Sequence, residues 1–233
     1  MDKLKQVAVI IPAYNEEKSI GDVVRGIKRL GEGYIPVVIN DNSEDRTTDI
    51  ALAEGAIVIE LPCNLGIGGA VQTGYKFAKE NGYDACIQVD GDGQHPTNQI
   101  PKLIKSLFED DYDIVIGSRF VMDSDYEISF MRLVGIKILS FFLKILTGLD
   151  IKDTTSGFRA INRRALEFFA SEYPQDYPEP ESLVFAHKKG FKIKEIPTRM
   201  SNRMYGKSSI TPILSTYYMI KVMLAMFIDL FKK

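Results

Sequence analysis

The sequence predicts an α/β fold built on a doubly wound, mostly parallel sheet. Three observations carry that prediction. Short β-rich runs recur along the first half of the chain, and helical segments alternate with them, the pattern of repeated βα units. The first run is continuously apolar rather than alternating, as a strand buried on both faces must be. Each run ends in small or polar residues, and in a parallel sheet such endings share one edge, where ligands bind.

The elements follow in order. Val7–Ile11 is the first strand, stopped by Pro12, and a helix is predicted from Glu16 to Leu30. Val37–Ile39 is the second strand, with a helix near Asp45 to Glu54. Ile57–Ile59 is the third, after which Gly66-Ile67-Gly68-Gly69 opens a helix running to about Asn81. That glycine run lacks both the dinucleotide-binding and the Walker spacing, so its plainest role is to let a helix pack closely. Ala85–Val89 is the fourth strand, a helix spans Asn98 to Glu109, and Ile114–Ile116 is the fifth strand. No repeat or long linker interrupts the chain before Gly117.

The 233 residues suffice for one large domain or two small ones with a real core. With 45% hydrophobic residues the chain is not disordered, and a net charge of −2 gives no basic excess to attract nucleic acid. Cys63 and Cys86 stand in separate apolar contexts without metal-ligand spacing and read as small core residues of a reducing compartment. The chain enters a strand without signal-peptide architecture, which suggests the cytoplasm or the cytoplasmic face of a membrane.

The fourth strand end carries the sharpest chemistry. Asp90-Gly91-Asp92-Gly93-Gln94 sets two carboxylates one residue apart between glycines, a cradle for a hard divalent cation and the phosphates it carries. An ordinary acidic turn has the same composition. The other endings are Tyr14-Asn15-Glu16, Asp41-Asn42-Ser43, Asn64 with its glycines, and Ser118-Arg119, and their convergence matters more than any one of them.

Pro12-Ala13-Tyr14-Asn15-Glu16, Asp41-Asn42-Ser43 and Asp90 to Pro96, each behind its strand, resemble the family 2 glycosyltransferases of the GT-A fold. Gly117-Ser118-Arg119, Thr155-Ser156-Gly157-Phe158-Arg159, and Glu195-Ile196-Pro197 with Arg203 and Gly206-Lys207-Ser208 resemble the dolichol- and polyprenyl-phosphate mannosyl- and glucosyltransferases within it. The resemblance covers roughly residues 5 to 210. It implies a Mg²⁺ or Mn²⁺ held by Asp90, Asp92 and Gln94 on the diphosphate of a nucleotide-sugar donor. It assigns donor binding to Pro12, Tyr14, Glu16, Asp41, Gly69, Asp90, Arg203 and Lys207, with Arg203 on a loop closing over the donor. Catalysis falls to Asp92, Arg119, Arg132 and Asp153, with Arg119 and Arg132 holding an acceptor phosphate. One departure is the second strand end, where the family usually has paired acids and this chain has Asn40-Asp41.

In the second half, Lys137, Ser140, Lys144 and Thr147 recur at helical spacing within Phe130–Leu149 and leave the remaining circumference apolar. Such a helix either packs on its own domain or lies on an anionic membrane, and the resemblance favours a surface that meets a lipid acceptor. Ile210–Phe231 is nearly long enough to span, but Lys221 falls at its middle and Asp229 near its end, so a helix lying on the membrane or packed on a partner is expected, with a single span or an ordinary C-terminal core helix as the alternatives. The domain reading is a catalytic domain over 1–209 and a C-terminal hydrophobic helix over 210–233.

The expected activity is inverting transfer of a hexose from a UDP- or GDP-sugar to a polyprenyl phosphate, by a peripheral protein on the inner membrane face. An alternative keeps the donor site and glycosylates a saccharide hydroxyl, for which Asp153 or Glu181 would be the general base. A non-catalytic nucleotide-binding scaffold is a third reading, and a nucleotidyltransferase is more remote. His95 and His187 carry no partner pattern and receive no role.

Overall fold

The computed structural model describes residues 5–120, 130–200 and 212–231. Seven strands form one sheet: β1 (Val7–Ala13), β2 (Tyr34–Asn40), β3 (Ile57–Glu60), β4 (Ala85–Gln88), β5 (Ile114–Ser118), β6 (Arg159–Asn162) and β7 (Ile193–Pro197). Their spatial order is β3-β2-β1-β4-β6-β5-β7. All five expected strands are present at the expected places. β6 and β7 are additional, and β6 is antiparallel to both of its neighbours, β4 and β5. Because β6 runs backwards, its beginning rather than its end reaches the rim formed by the other strands' carboxyl ends.

Pro12 does not stop β1, which continues to Ala13 in register with Asn40 of β2. Ile10 O accepts from Val89 N and Ala13 O accepts from Asp41 N, so by alternation Pro12 faces β4. Pairing to β4 lapses after Ile10, where a proline has no N–H to give, while pairing to β2 is untouched.

Among the described residues, eight helices cover the two faces. On one lie α1 (Ile20–Lys28), α2 (Thr47–Ala53) and α4 (Ile100–Glu109), the last entered through a 3₁₀ turn at Thr97–Gln99. Their Ile20, Val24, Ile27, Leu103 and Leu107 meet Val9, Ile11, Val38 and Ile87 of the sheet. On the other lie α3 (Gly66–Glu80), α5 (Phe130–Thr147), α6 (Arg163–Ser171), α7 (Pro178–Lys188) and α8 (Pro212–Phe231). Val71 and Tyr75, Leu139 and Leu143, Leu166 and Phe169, Leu183 and Val184, and Val222 and Met226 share a second core with Ile10 and Ile39. α8 thus packs by one face into the same core as the rest of the chain, against α5 and α7. No helix among the described residues is long and apolar enough to cross a membrane.

Gly68 explains the glycine run. A Cβ there would lie 2.4 Å from the backbone oxygen of Gln175, so only glycine lets the 174–175 segment rest on the start of α3. Cys86 is buried as expected, but Cys63 is exposed, because the turn after β3 carries it to the surface before α3 begins.

Candidate active site

The loops leaving β1 and β2 are stitched together at the rim. Asn15 N donates to Ser43 Oγ (2.9 Å), Glu44 N to Asn15 Oδ1 (2.9 Å), and Glu16 N to Thr47 Oγ1 (2.8 Å). Asn15 and Asn42 both hold positive φ, a conformation that asparagine tolerates better than most residues. Tyr14 stands out from this stitched loop with half of its surface exposed, and Glu16 accepts from Ser19 Oγ at 2.8 Å. Asn40, the residue in place of the family's usual acid, is a turn brace that donates to Thr48 Oγ1 and accepts from Ser43 N. Asp41 is buried, and its two oxygens accept from Leu65 N (2.7 Å) and Gly66 N (2.9 Å). Its carboxylate caps the amides at the start of α3, a favourable site for negative charge. Gly69 faces the Leu65 side chain, 2.5 Å from where its Cβ would be, so it serves packing in the same corner.

The Asp90–Gln94 turn sits beside β1, with Gly91 against Pro12 O and the Glu16 side chain. Gln94 N donates to Asp92 Oδ1 (2.9 Å), folding the turn around a buried Asp92. Asp90 N donates to His95 Nδ1 at 3.0 Å, and His95 Nε2 stands 3.6 Å from Asp90 Oδ2. With Nδ1 accepting, the ring proton belongs on Nε2, facing the carboxylate. The His95 ring is buried and stacks on Phe158, centroids 5.0 Å apart. His95, given no role from sequence, therefore fixes Asp90 from both its backbone and its carboxylate side. Gly157 follows one residue before Phe158, and a Cβ there would come within 2.7 Å of Gln88 Nε2 and 3.4 Å of Asp90 Oδ1.

A second cluster lies at the β5 end. Arg119 donates through Nε to Asp153 Oδ2 (2.8 Å) and through Nη2 to Asp153 Oδ1 (2.7 Å), while its own backbone N–H also reaches Oδ2. Both side chains are buried, Asp153 completely. Glu195 holds this segment by accepting from Lys152 N (2.7 Å) and Asp153 N (2.8 Å), and burial pushes its carboxyl above the ordinary value. Arg159 ties the same loop to α7, donating to Ser156 O, Thr154 O and Ser182 Oγ. Sequence reading placed Arg119 and Asp153 separately, as phosphate holder and base; the fold pairs them with each other.

Glu179 lies in the first turn of α7. Burial raises its carboxyl above the ordinary value, Arg159 opposes the shift, and the charge of Asp90 adds to it. Ser182 Oγ, bonded to Arg159, donates to Glu179 O at 3.1 Å and so joins this turn to the Thr154–Arg159 loop. Arg132 lies in the first turn of α5, and its side chain, with Arg203 and Lys207, falls outside the described residues.

Asp90, Asp92 and Gln94 fit a hard divalent ion. They offer only oxygen donors and sit on a turn closed by a glycine at φ 78°.

Among solved structures, the fold matches crystal structures of glucosyl-3-phosphoglycerate synthase from Mycobacterium tuberculosis. One, bound to phosphoglyceric acid, aligns over 95% of this chain and 80% of its own with a TM-score of 0.75 at 20% identity. Another, holding Mn²⁺, uridine diphosphate and phosphoglyceric acid, aligns over 98% and 80% with a TM-score of 0.74, also at 20% identity. These likenesses show the fold, which is of the GT-A class. The family model described as Glycosyl transferase family 2 matches residues 8–169, and the chain belongs to that family. Similar proteins include the UDP-N-acetylglucosamine–dolichyl-phosphate N-acetylglucosaminyltransferase of Methanococcus voltae, 31% identical over 90% of this chain and 91% of that one. The dolichyl-phosphate hexose transferase of Haloferax volcanii is 31% identical over 88% and 87%. An uncharacterized protein of Methanocaldococcus jannaschii is 33% identical over 91% and 88%. These names bear out the resemblance to the polyprenyl-phosphate branch.

Proposed function

We propose that this enzyme transfers a hexose, with inversion, from a UDP- or GDP-sugar to a polyprenyl phosphate at the cytoplasmic face of a membrane. The observation that carries the reading is the rim itself. The turn that carries Asp90 and Asp92 packs through Gly91 against Pro12, Ala13 and Glu16 at the end of β1, and the segment after β5 begins an apolar, lysine-edged surface. In this reading Tyr14 and Glu16 line the nucleoside side, and Asp90, Asp92 and Gln94 would hold Mg²⁺ or Mn²⁺ on the diphosphate. When bound, such an ion stabilises the leaving group as a Lewis acid. The relatives' names support a polyprenyl-phosphate acceptor.

The acceptor side has matching chemistry. A cavity of about 370 Å³ follows Phe120, walled by Leu133, Ile136 and Phe141 and edged by Lys137, Lys144 and Lys152. α5 exposes Met131, Val134, Ile138, Phe141 and Ile145 along one stripe, and α8 exposes Ile220, Leu224, Phe227 and Phe231 along another. Apolar stripes beside lysines suit the surface of an anionic bilayer, so both helices would lie on it while their inner faces stay in the core.

An acceptor phosphate is already anionic and needs no strong base. A hydroxyl acceptor does, and Asp153, closed in its pair with Arg119, is badly placed to be one. Mild acid tests the choice. A labelled product on undecaprenyl phosphate should be released by mild acid as a sugar phosphodiester is, and a product that survives would overturn the lipid-phosphate acceptor. Screening UDP-glucose, UDP-galactose and GDP-mannose in the same assay identifies the donor.

A further inference from the structure

Glu179 is a carboxylate in the donor crevice with no assigned work. It lies between Pro178 and Pro180 at the start of α7, so the backbone presenting it is held by two rings of fixed φ. Among the described residues its side chain forms no ion pair and no hydrogen bond to another side chain. The nearest cation, Arg159, is already engaged by Thr154 O, Ser156 O and Ser182 Oγ. Glu179 is partly buried, and a chain of contacts ties its turn to the Asp90 site: Ser182 Oγ donates to Glu179 O (3.1 Å) and accepts from Arg159 Nη1 (2.7 Å), Arg159 Nε donates to Ser156 O (2.7 Å), and Gly157 next to it packs against Gln88 and Asp90. Its carboxylate accepts from its own backbone N–H, which leaves most of its acceptor capacity open to a ligand.

The sign of the charge selects the ligand. A carboxylate here repels the donor diphosphate and an acceptor phosphate alike, and it adds a negative charge that a metal already held by Asp90 does not need. Neutral hydroxyls are what it can accept from, in bonds strengthened by its charge. The donor's hydroxyl-bearing part is the sugar, attached to the diphosphate that Asp90 and Asp92 address. We propose that Glu179 accepts hydrogen bonds from ring hydroxyls of the donor hexose and thereby helps to select the sugar. The inference rests on the donor-site reading above.

The test separates sugar from nucleotide. UDP, GDP, UDP-glucose, UDP-galactose, UDP-N-acetylglucosamine and GDP-mannose, each with Mn²⁺, are titrated calorimetrically into the full chain and into Glu179→Gln. For the donor that the native protein binds, the variant should lose about tenfold in affinity, the loss of a charge-assisted hydrogen bond, while the matching nucleotide alone binds unchanged. Discrimination between UDP-glucose and UDP-galactose should narrow in the same variant if the native enzyme uses a UDP-hexose. Equal losses for nucleotide and nucleotide sugar, or no loss for either, would overturn the proposal. Glu179→Asp keeps the charge and withdraws it, and should show the same split should Glu179→Gln fold poorly. Native protein that binds no nucleotide sugar with Mn²⁺ would instead break the donor-site reading, and this inference with it.

Discussion

Asp153 and Asp90 stand on the same rim and are treated in opposite ways. Asp153 is fully buried, both of its oxygens accept from Arg119, and its own amide is held by Glu195. Asp90 keeps about a third of its side chain exposed and faces the edge of His95 at 3.6 Å. Complete pairing under burial is what a brace needs, because an uncompensated charge there would be expelled. A half-solvated carboxylate near another marks a place prepared for a cation or for hydroxyls. The contrast separates what holds the crevice together from what it holds.

The turn that carries Asp90 gives the largest expected effect, through its buried second carboxylate. Asp92→Asn should lower transfer by at least about a thousandfold, the loss of several kcal/mol of transition-state stabilisation, while thermal unfolding stays near that of the native enzyme. A variant with near-normal transfer from the preferred donor would remove the metal assignment. The closed group should respond in stability first. Arg119→Ala leaves Asp153 buried and alone and should cost about 3–5 kcal/mol in urea unfolding. Arg119→Met together with Asp153→Leu should recover most of that loss. If the recovered protein still transfers sugar, the pair is a brace alone; if it is stable and inactive, Arg119 also holds the acceptor.

What was legible in the sequence divides along similar lines. Strands β1 to β5 were readable because Val7–Ile11, Val37–Ile39 and Ile114–Ile116 are short apolar runs with helices between them, and burial on both faces demands that composition. β6 was not, since Arg-Ala-Ile-Asn has no pattern of its own and becomes a strand by filling the gap between β4 and β5. That gap is what turns the Thr155–Arg159 motif towards the rim. The same limit applies to the site. The residue types at Asp90 and Asp92 announce a cation, whereas the partnership of Arg119 with Asp153 spans 34 residues and exists only in three dimensions. His95 and Glu179 act through neighbours that no local spacing reveals, although a proline on each side of Glu179 was a visible sign of a rigidly presented acid.

His95 joins the two groups and should give an intermediate effect. His95→Phe retains a ring to stack on Phe158 but removes the acceptor for Asp90 N–H. Leaving that amide unpartnered should cost about 1–3 kcal/mol in unfolding free energy. It should also raise the Mn²⁺ concentration needed for half-maximal nucleotide binding, by several-fold, because Asp90 loses its fixed position. Unchanged metal dependence in a destabilised variant would make His95 a core residue and nothing more.

The smallest expected effect tests whether Glu179 belongs to the open group. Its carboxyl is raised above 4.5 in the folded chain, so between that value and the folded one the native state binds more protons than the unfolded state. Stability is then lost as pH rises through this window, the reverse of a salt-bridged acid. Glu179→Gln cannot ionise and escapes the loss. Without ligand it should be slightly more stable than the native protein at about pH 7, with the advantage fading by about pH 4, where the native carboxyl is protonated in both states. Urea midpoints measured across that range check the sign. A Glu179→Gln protein that is less stable at neutral pH would show the carboxylate satisfied within the chain and move it to the braced side of the comparison. A more stable one would mean that the enzyme keeps an ionised group in its crevice at some expense to the free fold, and only a bound ligand could repay that.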